Sequence, residues 1–170
     1  MSKLRIFLTL TGYQLTWLAC VFGQIKFNIP LLGIYIGLIF ILLYFYFSKN
    51  RIKFLKLCLL ISLPGYLFDT VIVYFAIYEF KDTFIFGTIP LWMLVLWPSF
   101  STLYDEILVF LKKYKFFSII LSCIIGPLTY YLGEPLEVIT INNYVLFFLT
   151  MISFWGLLMF YYLEIILKRL

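Results

Sequence analysis

Six apolar runs dominate the chain, at residues 6–23, 29–47, 57–78, 89–111, 116–132 and 144–167. Each comes close to the roughly 20 residues that a helix needs to cross a hydrocarbon core about 30 Å thick. No other feature limits the possible folds as strongly. The 170 residues are 65% hydrophobic and 12% charged, whereas soluble domains carry about a quarter charged residues. No polar sequence is left from which to build a soluble shell. Barrel strands would alternate weakly over about 10 residues, and these runs are continuous. The sequence therefore reads as all-α: a polytopic helical membrane protein with six transmembrane helices, forming one domain over residues 1–170.

The charges orient it. Lys3 and Arg5 precede the first run; Lys49, Arg51, Lys53 and Lys56 lie between the second and third. Lys112, Lys113 and Lys115 separate the fourth from the fifth, and Lys168 and Arg169 follow the sixth. The opposite loops hold only Lys26 and Lys81, together with Glu79, Asp82, Glu134 and Glu137. Cytoplasmic loops retain Lys and Arg, so both termini are expected in the cytoplasm. The formal charge of +5 sits in short loops at headgroup level, which points to anionic lipid as a partner and not to nucleic acid. A small-residue motif at Leu18-Ala19-Cys20 imitates a lipoprotein cleavage site, but Trp17 and the apolar Val21-Phe22 fit an uncleaved first span.

Side-chain chemistry is sparse. The chain has no histidine, and Cys20, Cys58 and Cys123 form no CxxC pair. Neither a metal nor a cofactor is expected from such a set. No nucleophile–base pair or phosphate-cradling loop is visible, so the case for an enzyme is thin. Short loops make neighbouring helices antiparallel. Gly33 and Gly37 form a GxxxG on the second run, Gly12, Thr16 and Cys20 recur every fourth residue on the first, and Ser118, Ser122 and Gly126 do so on the fifth. Small residues at that spacing let helix backbones approach closely. Aromatic clusters near the run ends, among them Tyr44 to Phe47, Tyr74-Phe75, Tyr78, Tyr130-Tyr131 and Tyr161-Tyr162, read as an interfacial belt.

The polar and broken positions carry the functional expectations. Pro64-Gly65, Pro98 and Gly126-Pro127 fall inside three consecutive runs. Each proline frees the carbonyl four residues back, and lipid cannot satisfy it. Helix breaks beside a central cavity are the expected consequence. Asp69 lies 13 residues from Lys56 and ten from Glu79, near the bilayer midplane at about 1.5 Å per residue. An intramembrane carboxylate costs at least about 2.5–3.5 kcal/mol on insertion scales and usually marks a partner, a cavity or a function. Gln14 and Thr102 fall at a similar depth and are its expected neighbours, while Asp105, on the same helix face as Pro98, Ser101 and Thr102, lies nearer the cytoplasm. Asp69, Gln14, Thr102 and Asp105 together are the candidate ligand or proton site.

Several segments resemble a family of small bacterial inner-membrane proteins classed as a domain of unknown function. They are Gln14-Leu15-Thr16-Trp17 with Val21-Phe22-Gly23, then Gly65 with Asp69, and Pro90-Leu91-Trp92. Trp97, Phe100, Thr102-Leu103, and Gly126-Pro127 with Tyr130 and Gly133 complete the pattern. The family usually has a polar amide after the Thr-Leu pair, where this chain has Tyr104. The resemblance implies a six-helix protein of the inner membrane, often encoded beside enzymes that modify membrane fatty acids, and brings no established activity. The leading expectation is a non-catalytic subunit or accessory protein binding a lipid-like or small amphipathic ligand. It is followed by a proton-coupled carrier or channel using Asp69, and then by a membrane-embedded lipid-modifying enzyme. Membrane lipids are the expected partners, with a second membrane protein or a further copy of the chain as another possibility.

The charge asymmetry is directly testable. Reporters fused to either terminus should stay cytoplasmic, and tags inserted after Lys26, Lys81 and Glu137 should be external. A cytoplasmic tag after Glu137 would mean that one apolar run does not cross.

Overall fold

The computed structural model describes residues 3–25, 27, 29, 31–81 and 84–169. Lys26 and Asp82, two of the charges used to orient the chain, lie outside the described residues. Helices α1 (Lys3–Ile25), α2 (Leu32–Phe47) and α3 (Arg51–Tyr74) come first. Three short strands follow, β1 (Tyr78–Phe80), β2 (Ile85–Phe86) and β3 (Ile89–Pro90), and lead into α4 (Met93–Glu106). A 3₁₀ segment (Leu108–Tyr114), α5 (Lys115–Tyr131), β4 (Ile139–Ile141) and α6 (Tyr144–Tyr161) complete the order. Beyond α6, a π-helical turn (Tyr162–Ile166) and a last turn (Leu167–Arg169) prolong the helix.

Three segments are long and apolar enough to cross a membrane: Lys3–Gly23, Arg51–Tyr74 and Tyr144–Ile166. The other helices are shorter. The 14 residues of α4 rise about 21 Å and the 17 of α5 about 26 Å. The run at residues 89–111 is thus not one helix: Ile89-Pro90 pair as a strand with Ile85-Phe86, and the chain leaves the α-helix after Glu106. Lys112 and Lys113 belong to the 3₁₀ segment and Lys115 opens α5, so the expected four-residue loop at residues 112–115 is a helical strap.

Caps mark where the helices begin. The Asn50 side chain accepts from the Lys53 amide at 3.0 Å, and Asn143 accepts from the Leu146 amide at 3.0 Å, each satisfying an otherwise orphaned donor. After α3, Ala76 takes a positive φ of 51° and its carbonyl accepts from the Asn142 side chain at 3.1 Å. The chain then turns back into β1, which pairs antiparallel with β4, Tyr78 opposite Ile141 and Phe80 opposite Ile139. The two connections at this end, read from sequence only as short loops, are therefore clasped together.

α4 is the hub: it packs on α1, α2 and α3, whereas α5 packs mainly on α6. The α5–α6 pair joins the rest through rings, with Phe68 stacked on Phe154 at 3.9 Å and Trp97 on Trp155 at 5.8 Å. Glycines set the close approaches. A Cβ on Gly33 would lie 2.6 Å from the Cys20 Cα of α1, and one on Gly37 would lie 2.8 Å from Val95 of α4. Helices α3, α4 and α5 run through Pro64-Gly65, Pro98 and Gly126-Pro127 without breaking. One reason is visible at Pro98, which leaves the Leu94 carbonyl without its helical donor: the Tyr66 hydroxyl of α3 donates to it at 2.9 Å.

Gly37→Leu should lower the apparent melting temperature in detergent, by the equivalent of about 1–3 kcal/mol of overpacking. An unchanged melting curve would place that face away from any helix contact.

Candidate functional site

Asp69 is fully buried in the last third of α3, five residues before the helix ends and towards the strand clasp, not at mid-helix as its spacing from Lys56 and Glu79 suggested. A carboxylate removed from water needs donors, and three side chains supply them. The Tyr78 hydroxyl donates to Oδ1 at 2.7 Å and the Tyr130 hydroxyl to the same oxygen at 2.9 Å. The Trp97 indole N–H donates to Oδ2 at 2.8 Å. These donors come from β1, α5 and α4, so one side chain ties together three segments remote in sequence. Gly65, one turn before Asp69, makes this possible: a Cβ there would overlap the Trp97 ring. Tyr78 is itself fully buried and packs edge-on against Phe147 at 6.0 Å.

The expected neighbours are placed differently. Gln14 is exposed on α1, and Asp69 is satisfied by the two tyrosines and the tryptophan instead. Thr102 is buried, but its hydroxyl donates to the Ser99 carbonyl one turn back at 2.7 Å. Asp105 belongs to a separate cluster at the end of the bundle that carries both termini. There it accepts from the Tyr44 hydroxyl at 2.9 Å and pairs with Lys53 at 3.3 Å. Glu106 pairs with Arg5, and Glu164 pairs with Lys115 and, at 2.6 Å, with Lys168. A polar recess opens beside this cluster, lined by Arg5, Lys49, Lys53, Asp105 and Glu106.

Two tyrosines assigned to an aromatic belt, Tyr78 and Tyr130, thus act as internal donors. A third, Tyr162, is buried and donates to the Tyr104 carbonyl at 2.5 Å. Tyr46, Phe47, Tyr74 and Phe75 are exposed and suit the belt. Among the described residues, no group of three or more His, Cys, Asp or Glu side chains is placed to hold a metal ion.

A cavity of about 290 Å³ adjoins the Asp69 cluster. α4 forms its floor, α1 and α5 flank it, and Trp155 and Met159 of α6 close its side. It extends along α5 from Ser118 to Tyr130, about 18 Å at the helical rise, and past the helix end to Gly133. Trp97 and Tyr130 line it and hide Asp69 behind them. The Ser and Thr hydroxyls in the wall are taken up by backbone carbonyls, whereas the buried Trp155 indole N–H of the lining has no partner among the described residues. Ser118 donates to the Tyr114 carbonyl at 2.8 Å, Ser122 to that of Ile119 at 2.8 Å, and Thr129 to that of Ile125 at 2.9 Å. With the Trp97 and Tyr130 tips held by Asp69, the wall offers a ligand chiefly hydrocarbon and ring faces.

The chain belongs to the family described as "Protein of unknown function (DUF2878)", which matches it over residues 6–161. No curated protein matches the chain, and no solved structure does.

Asp69→Asn keeps one acceptor oxygen for the tyrosines but sets an amide N–H₂ against the Trp97 N–H, orphaning a buried donor at about 1–3 kcal/mol. Asp69→Leu orphans all three donors. Thermal unfolding should therefore rank wild type above Asn and Asn above Leu. Equal melting temperatures for wild type and Leu would show that the carboxylate does not hold the three segments together.

Proposed function

We propose that the protein is a non-catalytic membrane subunit or accessory protein that holds a lipid-like or small amphipathic ligand in the cavity between α1, α4 and α5. In this reading it lies in the bacterial inner membrane, crosses it six times and keeps both termini in the cytoplasm. The supporting observation is the cavity itself. It is long, apolar and flanked by α1 and α5, and its lining Ser and Thr hydroxyls are directed to backbone carbonyls. Ligand sites are usually clefts of about 300–1,000 Å³ with apolar walls, and this one stands at the lower limit, a size suited to one slender chain. The implied gene neighbours that modify membrane fatty acids are consistent with a lipid as cargo.

Under this reading the short helices are no obstacle to a six-fold crossing. The 3₁₀ strap and the π-helical turn extend α4 and α6 towards the interface at the terminus end. The strand clasp covers the opposite end with paired backbone in place of bare loops.

A second reading, a proton-coupled carrier, draws on one observation: Asp69 bonds directly to two residues of the cavity wall. A change in its protonation would alter that wall. A pH-dependent flux in proteoliposomes would select the carrier, and product formed from a labelled lipid would select an enzyme.

The lipid-binding reading is tested at Ile125, which lines the cavity and is 52% exposed. Ile125→Trp should fill the mouth, leave the melting temperature unchanged and cut co-purifying lipid several-fold in native mass spectrometry. Full lipid occupancy in that variant would locate the bound lipid elsewhere.

A further inference from the structure

We propose that the occupant of the cavity is an anionic lipid of the surrounding bilayer, with one acyl chain inside and its acidic headgroup held by Lys112 and Lys113. This rests on the cavity being a lipid site, and it adds both the chemistry and the direction of the ligand. The two ends of the cavity differ in charge. At the terminus end the wall is formed by Leu108 and Leu111 of the 3₁₀ strap and by Ser118. The next two residues of the strap are Lys112 and Lys113, both exposed. At the opposite end the wall is formed by Gly133, Leu136 and Val138, interleaved with Glu134 and Glu137.

The lysines are available. Lys115 and Lys168 are engaged by Glu164, Lys53 by Asp105 and Arg5 by Glu106. Lys112 and Lys113 pair with no carboxylate among the described residues; Lys113 lies only over the Tyr114 ring, 5.6 Å from its centre. Their long aliphatic stems let the ammonium groups reach headgroup level while the strap stays packed. An acidic headgroup at the other end would meet Glu134 and Glu137, whose like charge repels it and outweighs Lys81, which follows the lining Phe80 there. Between the two ends lies a passage that pairs no buried charge with the ligand, so only the chain belongs there. The lipid therefore enters from the side, tail towards the strand clasp and head towards the strap.

The experiment uses the intrinsic fluorescence of the protein, because all four tryptophans, Trp17, Trp92, Trp97 and Trp155, line the cavity. The full chain is reconstituted in unlabelled zwitterionic bilayers containing a low mole fraction of a bromine-labelled phosphatidic acid or, separately, of the matching labelled phosphatidylcholine. The anionic probe should quench at a much lower mole fraction than the zwitterionic one. Lys112→Gln with Lys113→Gln should weaken the anionic probe by roughly thirtyfold, from two lysines near an anionic headgroup, and bring its curve to that of the zwitterionic probe. Lys112→Arg with Lys113→Arg should retain binding. Lys3→Gln with Lys56→Gln, which removes the same charge from the same end but away from the cavity, should leave quenching as in wild type. Equal quenching by the two probes in wild type, or an equal loss in the Lys3/Lys56 variant, would overturn the headgroup assignment while leaving a lipid in the cavity. Quenching by both probes no greater than their mole fraction would overturn the cavity reading itself, and this proposal with it.

Discussion

The buried carboxylate of Asp69 is the constraint on which the rest of the structure depends. In a helix bordered by hydrocarbon, water is absent and unmet polar groups are costly, so the carboxyl must find donors within the protein. Each donor it recruits fixes something else. Trp97 reaches Oδ2 because Gly65 leaves room for the indole on the surface of α3. The close α3–α4 approach also brings Tyr66 to the Leu94 carbonyl that Pro98 leaves free. Tyr78 reaches Oδ1 because the chain reverses at Ala76 and folds β1 back over the end of α3. Tyr130 brings in α5, which otherwise packs mainly on α6. One side chain thus sets the position of α4, β1 and α5 together.

The cavity follows from the size of the groups that satisfy this constraint. Indole and phenol rings, not small residues, span the gap between α4 and the α5–α6 pair. Trp97 stacks on Trp155, Phe100 meets Trp155 edge-on at 5.5 Å, and Tyr104 meets Tyr162 at 4.5 Å. Rings this large hold α5 away from α4, and Gly126 accepts Trp155 so that α5 still packs closely on α6. The space left over is walled by rings, two of which, Trp97 and Tyr130, have their polar tips held by Asp69. Affinity for hydrocarbon and rigidity of the bundle therefore share the same residues.

The helices, the buried Asp69 and the small-residue positions were legible because each rests on a local rule: run length, the cost of a charge in lipid, and backbone approach. Gly65, Asp69, Trp97, Gly126 and Tyr130, which carried the resemblance to a family, converge around one carboxylate and the cavity beside it. The donor set was not legible. Tyr78 and Tyr130 stand near run ends, where composition suggests an interfacial belt, and only the fold-back of β1 and the packing of α5 on α6 bring them inward. Gln14 shares the depth of Asp69, but depth says nothing of direction around a helix, and it is exposed on α1. The strand clasp and the 3₁₀ strap were also hidden: both are made by pairing or strain between segments, and a single run of sequence carries no sign of them. The prolines were read as breaks because a lost hydrogen bond is local, whereas its replacement by Tyr66 is tertiary.

The distribution of charge at the terminus end follows the same logic one level out. Eleven basic residues gather there, and the carboxylates among them are placed selectively. Asp105 and Glu106 finish α4 and draw in Lys53, Arg5 and the Tyr44 hydroxyl, pinning the starts of α1 and α3 and the end of α2 around the hub. Glu164 does the same for the start of α5 and the final turn. The more open Glu164 pairs add little stability each, whereas the carboxylates of Asp105 and Glu106 are largely buried and need their partners; together they set which cations are neutralised and where. The strap between these two clusters carries no carboxylate. Lys112 and Lys113, beside the end of the apolar cavity, therefore pair with no carboxylate among the described residues, as is also true of Lys3, Lys49 and Lys56. Orientation alone would account for basic residues at this end; what sets Lys112 and Lys113 apart is that they directly follow Leu111 of the cavity wall.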